Sequence, residues 1–223
     1  MNKPKKIVIL GIGGNCIDIL DTIDDINHFS GQTLYECVGF LDDHPEYFQT
    51  EVFNKKVIGP LKMAKELPSD YRFVNGIGSS SNFWKKEIII KKTGITQSRF
   101  QTIVHPSSSV SRKAKIGNGV VIFQNVTITT NATIGNHVMV LPNSVISHDD
   151  IIGDFSIIAG GVCISGNVTV GKSCYLGSNS TIKENTEIED YSLVGMGSNV
   201  LHKVTKGSVF VGNPAKFLRF MNK

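Results

Sequence analysis

Little of this 223-residue chain is charged: Asp, Glu, Lys and Arg make up 19% of it, and no block of one sign runs beyond a few residues. That excludes a disordered polyelectrolyte and an acidic or basic tail. The excess of base, 23 Lys and Arg against 19 Asp and Glu for a net charge of +4, is scattered and not interleaved with aromatics, so no nucleic-acid groove is expected. No apolar run reaches the roughly 18 residues that a membrane-spanning helix needs, and no membrane partner is expected. The basic start is followed by only four apolar residues, Ile7 to Leu10, before Gly11, too few for a secretory leader. The four cysteines, Cys16, Cys37, Cys163 and Cys174, form no CxxC pair. Structural zinc and a disulfide framework are therefore not expected, and a cytoplasmic location is. Aromatics are sparse at 8%, whereas there are 22 glycines and 40% apolar residues. That is the composition of tight turns around a core of small aliphatics.

What the chain has in quantity is a period of six. From Val110 every sixth residue is Val, Ile or Leu, through Ile116, Ile122, Ile128, Ile134, Val140 and Ile146 to Val194 and Val200. Four residues after most of these stands a small or β-branched residue, such as Ala114, Val120, Ala132, Ser144, Ser156, Val162 or Cys174. Neither a helix nor an alternating strand produces such a period. A parallel β-helix does, each hexad being one short flat side and a turn, with three sides to a coil of 18 residues. Gly117, Gly135, Gly153 and Gly171 repeat at that larger spacing, as if one corner recurred above itself. The expectation is a left-handed β-helix of about five coils, roughly 25 Å tall; a β-sandwich would require period two.

Residues 5–104 read differently. Lys6 to Leu10 form a buried strand, Gly11-Ile-Gly-Gly-Asn15 a turn, and Ile17, Leu20, Ile23 and Ile26 an apolar helical stripe. A second strand, Glu36 to Leu41, ends in Asp42-Asp43, and a third, Arg72 to Ile77, ends in Gly78-Ser-Ser-Ser81, followed by a helix over Phe83 to Lys92. The pattern is that of a small Rossmann-like α/β domain with a parallel sheet, whose carboxyl edge is where such folds bind ligands. Gly11 and Gly14 serve either a tight turn or the approach of a phosphate to backbone N–H groups. Asp42 and Asp43 serve either a solvated turn or a nucleotide. Cys16 stands where the third glycine or alanine of a dinucleotide fingerprint belongs, which argues against an NAD enzyme. The predicted division is 1–104, a nucleotide-sugar-binding domain, and 105–223, the β-helix with a C-terminal closing segment.

One hexad departs from the pattern: Ile146-Ser-His148-Asp149-Asp150-Ile151 puts a carboxylate at the inward position 150, the only charged residue among the equivalent positions. A local break in a regular scaffold marks a place to look for function. His148 takes the third, outward position, and an imidazole beside a carboxylate suits a general base; an exposed surface histidine without a role is the alternative. Of the rest, His137 is expected at the surface, His202 at the far end, His28 and His44 in loops, and His105 at the domain junction, capping the start of the β-helix. One coil above His148 stands Gly166, where a bare backbone N–H would face a reacting carbonyl oxygen, unless it is an ordinary turn residue.

These residues carry a resemblance. Ile9-Leu-Gly-Ile-Gly-Gly14, Phe40-Leu-Asp-Asp43, Gly76-Ile-Gly78, Ile103-Val-His-Pro106, the hexads with Ile146-Ser-His-Asp149, and Val211-Gly-Asn-Pro-Ala-Lys216 together resemble the bacterial sugar O- and N-acetyltransferases. That family includes the sialic acid O-acetyltransferases and the N-acetyltransferases of nucleotide-linked 4-amino sugars. The resemblance covers nearly the whole chain. It implies a homotrimer with acetyl-CoA in the groove between neighbouring prisms and a nucleotide-linked amino sugar on the front domain. It implies His148 as catalytic base with Asp149 as its acidic partner, and Gly166 at the thioester carbonyl. Ser178, Gly195 and Met196 would lie along the coenzyme tail, with Pro214-Ala-Lys216 as the closing turn. Gly13, Gly14, Asn15, Asp42, Asp43, Gly78 and Ser79 fall at the substrate nucleotide. Asn15 stands where many relatives have His, Ile157 where some have a second His that touches acetyl-CoA, Ser79-Ser80 where Asn-Asn is usual and Trp84 where Arg is.

The reading that follows is acetyl-CoA-dependent N-acetylation of the 4-amino group of a nucleotide-linked 4-amino-4,6-dideoxy sugar, without a metal, for a bacterial surface glycan such as lipopolysaccharide. An O-acetyltransferase acting on sialic acid or another sugar keeps the fold and changes the acceptor. A non-catalytic scaffold or a metal-dependent, anhydrase-like protein is the reading from another class; the latter requires three His ligands.

Overall fold

The computed structural model describes residues 3–221. In the front domain, β1 (Lys5–Leu10) lies between β2 (Tyr35–Leu41) and β5 (Arg72–Asn75), parallel to both, because its run of Ile7, Val8, Ile9 and Leu10 is buried on both faces. Two strands that the apolar pattern does not announce, β3 (Glu51–Val52) and β4 (Lys55–Gly59), form a hairpin that extends the sheet to the order β3-β4-β2-β1-β5. Between β1 and β2 runs α1 (Gly14–Ser30), closed by Gly31 in the left-handed conformation (φ 65°). Its buried face is Cys16, Ile19, Leu20 and Ile23, with Ile17 and Ile26 only half-buried, so the helix is turned slightly from the expected stripe.

Cys16 explains the missing glycine of the fingerprint. A Cβ on Gly76, just past β5, would lie 2.4 Å from the Cys16 sulfur and 3.0 Å from its Cα. The close approach of helix to sheet that a third glycine usually permits is provided here from the neighbouring strand. Burial pushes the Cys16 thiol up to about 12, so it stays protonated and packs as a small apolar group.

The hexads build the expected left-handed β-helix. Two-residue parallel strands run from β6 (Ile103–Val104) to β22 (Asn199–Val200), each pairing with the strands eighteen residues away. The first strand, Ile103–Val104, already pairs with Val121–Ile122, so the wall begins just ahead of residue 105. Three faces result. The first carries Ile103–Val104, Val121–Ile122 and the strands above them; the second begins at Ser109–Val110, the third at Lys115–Ile116. The second residue of each pair points inward, and these residues from all three faces form one continuous core from Ile122 to Val200. Three residues further on, each corner turns through the left-handed region, at Gly119, Asn125, Asn131, His137, Asn143, Asp149 and so on to Gly197. Gly and Asn recur there because they tolerate positive φ at least cost. The prism is closed by β23 (Ser208–Val211), which joins the first face, and the antiparallel β24 (Lys216–Phe220).

The outward residues of the first face are apolar at every eighteenth position: Ile103, Val121, Met139, Ile157, Tyr175 and Leu193. They pack with Phe83 and Trp84 into one cluster that also holds the inner side of the front sheet. The front domain is therefore seated on one face of the prism. His105 fastens this joint: its buried ring bonds Asp25 of α1 (Nε2 to Oδ2, 2.8 Å) and Ser107 (2.8 Å).

His137 departs from expectation. It is 1% exposed, because its corner lies under the segment that links the two domains. Its ring stacks on Phe155 one coil above (5.2 Å, 6°), meets Phe100 edge-on (4.5 Å), and bonds Gln97 (2.9 Å), while its backbone oxygen accepts from the buried Lys86 ammonium (2.6 Å). Burial, with Lys86 nearby, brings the imidazole down to about 4. The folded state therefore disfavours the protonated ring, and stability present above the ordinary value near 6.5 is lost as pH falls toward 4, on the order of 3 kcal/mol. His137→Gln should flatten the stability profile between pH 4 and 6.5 in denaturant titrations; an unchanged acid limb would refute this origin. In the other half of the joint, Phe83→Ala removes a fully buried ring that contacts Trp84 and Tyr175. It should cost about 3–5 kcal/mol, seen as earlier melting of the front domain in calorimetry while the β-helix transition stays in place.

Candidate active site

The turn Ser147 to Asp150 forms the corner between the second face, at Val145–Ile146, and the third, at Ile151–Ile152. Asp149 is its left-handed residue (φ 63°), which swings the carboxylate outward beside His148. His148 Nδ1 lies 2.8 Å from Asp149 Oδ2, and both side chains are exposed, at 62% and 48%. The other oxygen of Asp149 accepts from the amide of Asn131 one coil below (2.7 Å). Asn131 first, then His148, hold the Asp149 carboxyl below its ordinary range. A carboxylate can only accept, so the neutral ring carries its proton on Nδ1 and presents the Nε2 lone pair outward. Asp150 does not share in this pair. It is fully buried, its oxygens accepting from the N–H groups of Ser147 (2.9 Å) and Val168 (2.8 Å).

Gly166 sits one coil above the imidazole. A Cβ there would lie 2.5 Å from Cε1 and 2.6 Å from Nε2 of His148, so the ring rests against bare backbone. Among the described residues no hydrogen bond engages the Gly166 N–H, whereas its carbonyl accepts from Asn185. A free backbone donor next to an outward-facing imidazole joins a group able to take a proton to a donor able to meet an oxyanion.

The remaining predicted positions fall into two other groups. Ser178 and the exposed Met196 stack eighteen residues apart at the corner between the first and second faces, beside Gly195, against which Val211 packs. Lys216 is exposed on β24 at the same end of the prism. This group shares the second face with His148 but lies at its opposite edge and nearer the C-terminal end. The outward residues between, Val145, Cys163, Thr181 and Asn199, are mostly small.

The third group lines a cavity of about 390 Å³ at the carboxyl edge of the front sheet: Gly13, Gly14, Asn15, Asp42, Gly78 and Ser79 all border it. Asn15 donates to the Gly78 carbonyl (3.0 Å), joining the start of α1 to the loop after β5. Asp42 accepts from both the backbone and the ring of His44, which raises the His44 imidazole. Asp43 lies outside the lining and caps Leu61 N–H instead (2.9 Å). Asn82, which the strand pattern did not single out, belongs to the lining, and its side chain organises Ser79. The signal for it was the run of turn-forming Ser and Asn after β5. Ile157 is buried on the first face, its tip against Gly78, and Trp84 lines a separate groove with Tyr191. Among the described residues no three His, Cys, Asp or Glu side chains converge on a possible metal position, and no helix is long and apolar enough to cross a membrane.

Fold and site together define a hexapeptide-repeat β-helix bearing an α/β front domain with a cavity at its sheet edge. Residues 6–91 match the model of the PglD N-terminal domain, and residues 113–148 that of the bacterial transferase hexapeptide, six repeats, so the chain joins a PglD-type front domain to bacterial-transferase hexapeptide repeats. No curated protein sequence matches it. Among solved structures it is similar to the acetyltransferase domain of PglB from Neisseria gonorrhoeae in complex with acetyl coenzyme A, at 22% identity and a TM-score of 0.82 over 97% of this chain and 100% of that one. It is also similar to PerB from Caulobacter crescentus in complex with CoA and GDP-perosamine (22%, 0.79, 96% and 97%) and to WeeI from Acinetobacter baumannii (22%, 0.79, 95% and 99%).

The contact between His148 and Gly166 gives a direct test. Gly166→Ala should displace the imidazole and break its bond to Asp149, shifting the His148 ring resonances in NMR while the melting temperature moves by less than about 2 °C, because the ring is exposed and free to swing away. An unmoved ring would show that the two residues are not in contact.

Proposed function

We propose that this protein is an acyltransferase that moves an acetyl group from acetyl-CoA to the 4-amino group of a nucleotide-linked 4-amino-4,6-dideoxy sugar. The observation that carries the reading is the pairing of a carboxylate-oriented, outward-facing His148 with the unbonded N–H of Gly166 one coil above. The sugar nitrogen attacks the thioester carbonyl carbon, and His148 Nε2 takes a proton from it as the C–N bond forms. The carbonyl oxygen, now an oxyanion, accepts from Gly166 N–H. When the intermediate collapses, the C–S bond breaks and the CoA thiolate receives the proton from the imidazolium, whose charge Asp149 has balanced.

The substrates fit the two other groups of residues. The front cavity joins the glycine turn and the N-terminus of α1, suited to a diphosphate, to the carboxylate of Asp42, suited to a nucleotide hydroxyl or ring N–H. The small-residue second face, edged by Ser178 and Met196, suits an extended pantetheine chain. PerB, similar over nearly its whole length, is described with CoA and GDP-perosamine, and PglB with acetyl coenzyme A.

The topology supports a homotrimer. The front domain covers the first face, and the His148 corner is the edge of the prism opposite to it. A sugar in one chain's cavity is thus turned away from that chain's own base, and a neighbouring prism would supply the partner.

Two measurements test these statements. Thiol release from acetyl-CoA, measured with UDP-, dTDP- and GDP-linked 4-amino-4,6-dideoxy sugars, should respond to one of them, and His148→Ala should lower turnover by about 10²–10⁴-fold with the assembly intact; near-normal turnover would remove the base assignment. In a second experiment His148→Ala is co-refolded with Gly13→Leu, whose side chain would project into open cavity space. Each variant alone should be inactive, and a random equal mixture should recover about a quarter of wild-type activity if sites form between subunits of a cyclic trimer. No recovery would place each site within one chain.

A further inference from the structure

At the inward fifth position of the hexads the chain normally places an aliphatic or a small polar residue. At two of the Ser positions the hydroxyl serves the coil above: Ser156 donates to Gly171 O (2.8 Å) and accepts from Cys174 N–H (2.9 Å), and Ser144 donates to Ala159 O (2.9 Å). Asp150 makes a different connection. Oδ2 accepts from Ser147 N–H in its own corner turn, one residue before His148, and Oδ1 accepts from Val168 N–H in the next coil, two residues after Gly166. A single buried carboxylate thereby joins the two turns that carry the imidazole and the free N–H. A serine hydroxyl has a single oxygen and a proton to place, whereas an ionised carboxylate offers two oxygens, one to each turn, and only accepts. The arrangement has a cost, since burial pushes the Asp150 carboxyl up to about 7 against the lowering effect of those two N–H groups and His148. Stability alone gives no reason for a charge here, because neighbouring corners close without one.

We propose that Asp150 is a positioning residue, its carboxylate stapling the corner turn of His148 to that of Gly166 and so setting the distance between the base and the carbonyl-oxygen donor. The inference rests on the reading of His148 and Gly166 as an acyl-transfer pair. It assigns Asp150 no contact with substrate. Misplacing a reacting group by about 1 Å can cost on the order of 10²-fold in rate, so the staple matters to kcat more than to binding.

The test uses the full chain with Asp150→Ser, the residue type of other corners, and Asp150→Asn, which keeps the shape but turns one acceptor into a donor. Ser156→Ala serves as the control, breaking the same kind of corner bonds away from His148. Without substrate, both Asp150 variants should exchange the Ser147 amide hydrogen at least tenfold faster and shift the His148 ring resonances, whereas Ser156→Ala should leave both unchanged. With the responding amino sugar, both Asp150 variants should lower kcat by about 10–100-fold with KM for acetyl-CoA within about threefold, and Ser156→Ala should keep its kcat despite a comparable loss in melting temperature. An unmoved His148 ring in Asp150→Ser overturns the proposal, as does an equal loss of kcat in Ser156→Ala. If wild type transfers no acetyl group to any acceptor, it is the acyltransferase reading that fails, and the substrate-free exchange and resonance data still decide whether Asp150 holds the two turns together.

Discussion

Stacking at a repeat of eighteen residues is the constraint on which the rest of the molecule depends. With each coil set about 4.8 Å above the last, every residue lies over the one eighteen places before it, and the chain becomes a set of vertical columns. The inward columns of the three faces together form a continuous aliphatic core, in which each buried side chain contributes about 1.5–3 kcal/mol. The corner columns hold residues that accept positive φ. The outward column of the first face supplies the apolar seat for the front domain. No element of the prism is longer than two residues until β23, so none would be stable alone; the columns stabilise one another.

The same constraint builds the site. His148 and Gly166 touch because they are eighteen residues apart, and Asn131 reaches Asp149 for the same reason. A column places one side chain on bare backbone with no loop to order. The front domain works on other principles. Its cavity depends on strand ends and a helix start that converge at the edge of a parallel sheet, with Gly76 yielding the space that Cys16 occupies. The rigid joint at His105, Phe83 and Ile157 fixes the two systems relative to each other.

Much of this was legible in the sequence because a period of six admits few structures. The β-helix, its inward residues and the turn of His148 could be read from the spacing, and the resemblance supplied the family. Other features were not legible for identifiable reasons. His137 occupies a position that is exposed at several other corners and is buried here only because Phe100 and Gln97 of the linking segment cover it, a long-range contact with no local mark. The β3–β4 hairpin is short and partly polar, so its alternation falls below recognition. Asp150 was legible as an inward carboxylate, but its bond to Val168 N–H was not, since that contact joins residues eighteen places apart. The apolar stripe at Ile103, Val121, Met139, Ile157, Tyr175 and Leu193 was open to view, and its spacing of eighteen would have identified the covered face.

The way the wall is closed limits how such a chain can change in length. A single inserted residue would rotate every later side chain out of its column, whereas a whole turn of eighteen slides in as a new storey with inner, corner and outer residues already in phase. Lineages of this architecture can therefore lengthen or shorten the stretch between His148 and the terminal hairpin only in jumps. Each jump would move the Ser178 and Met196 end of the second face by one storey while His148 and Gly166 below kept their geometry, so that the length of this face is graduated by the same ruler that folds the protein.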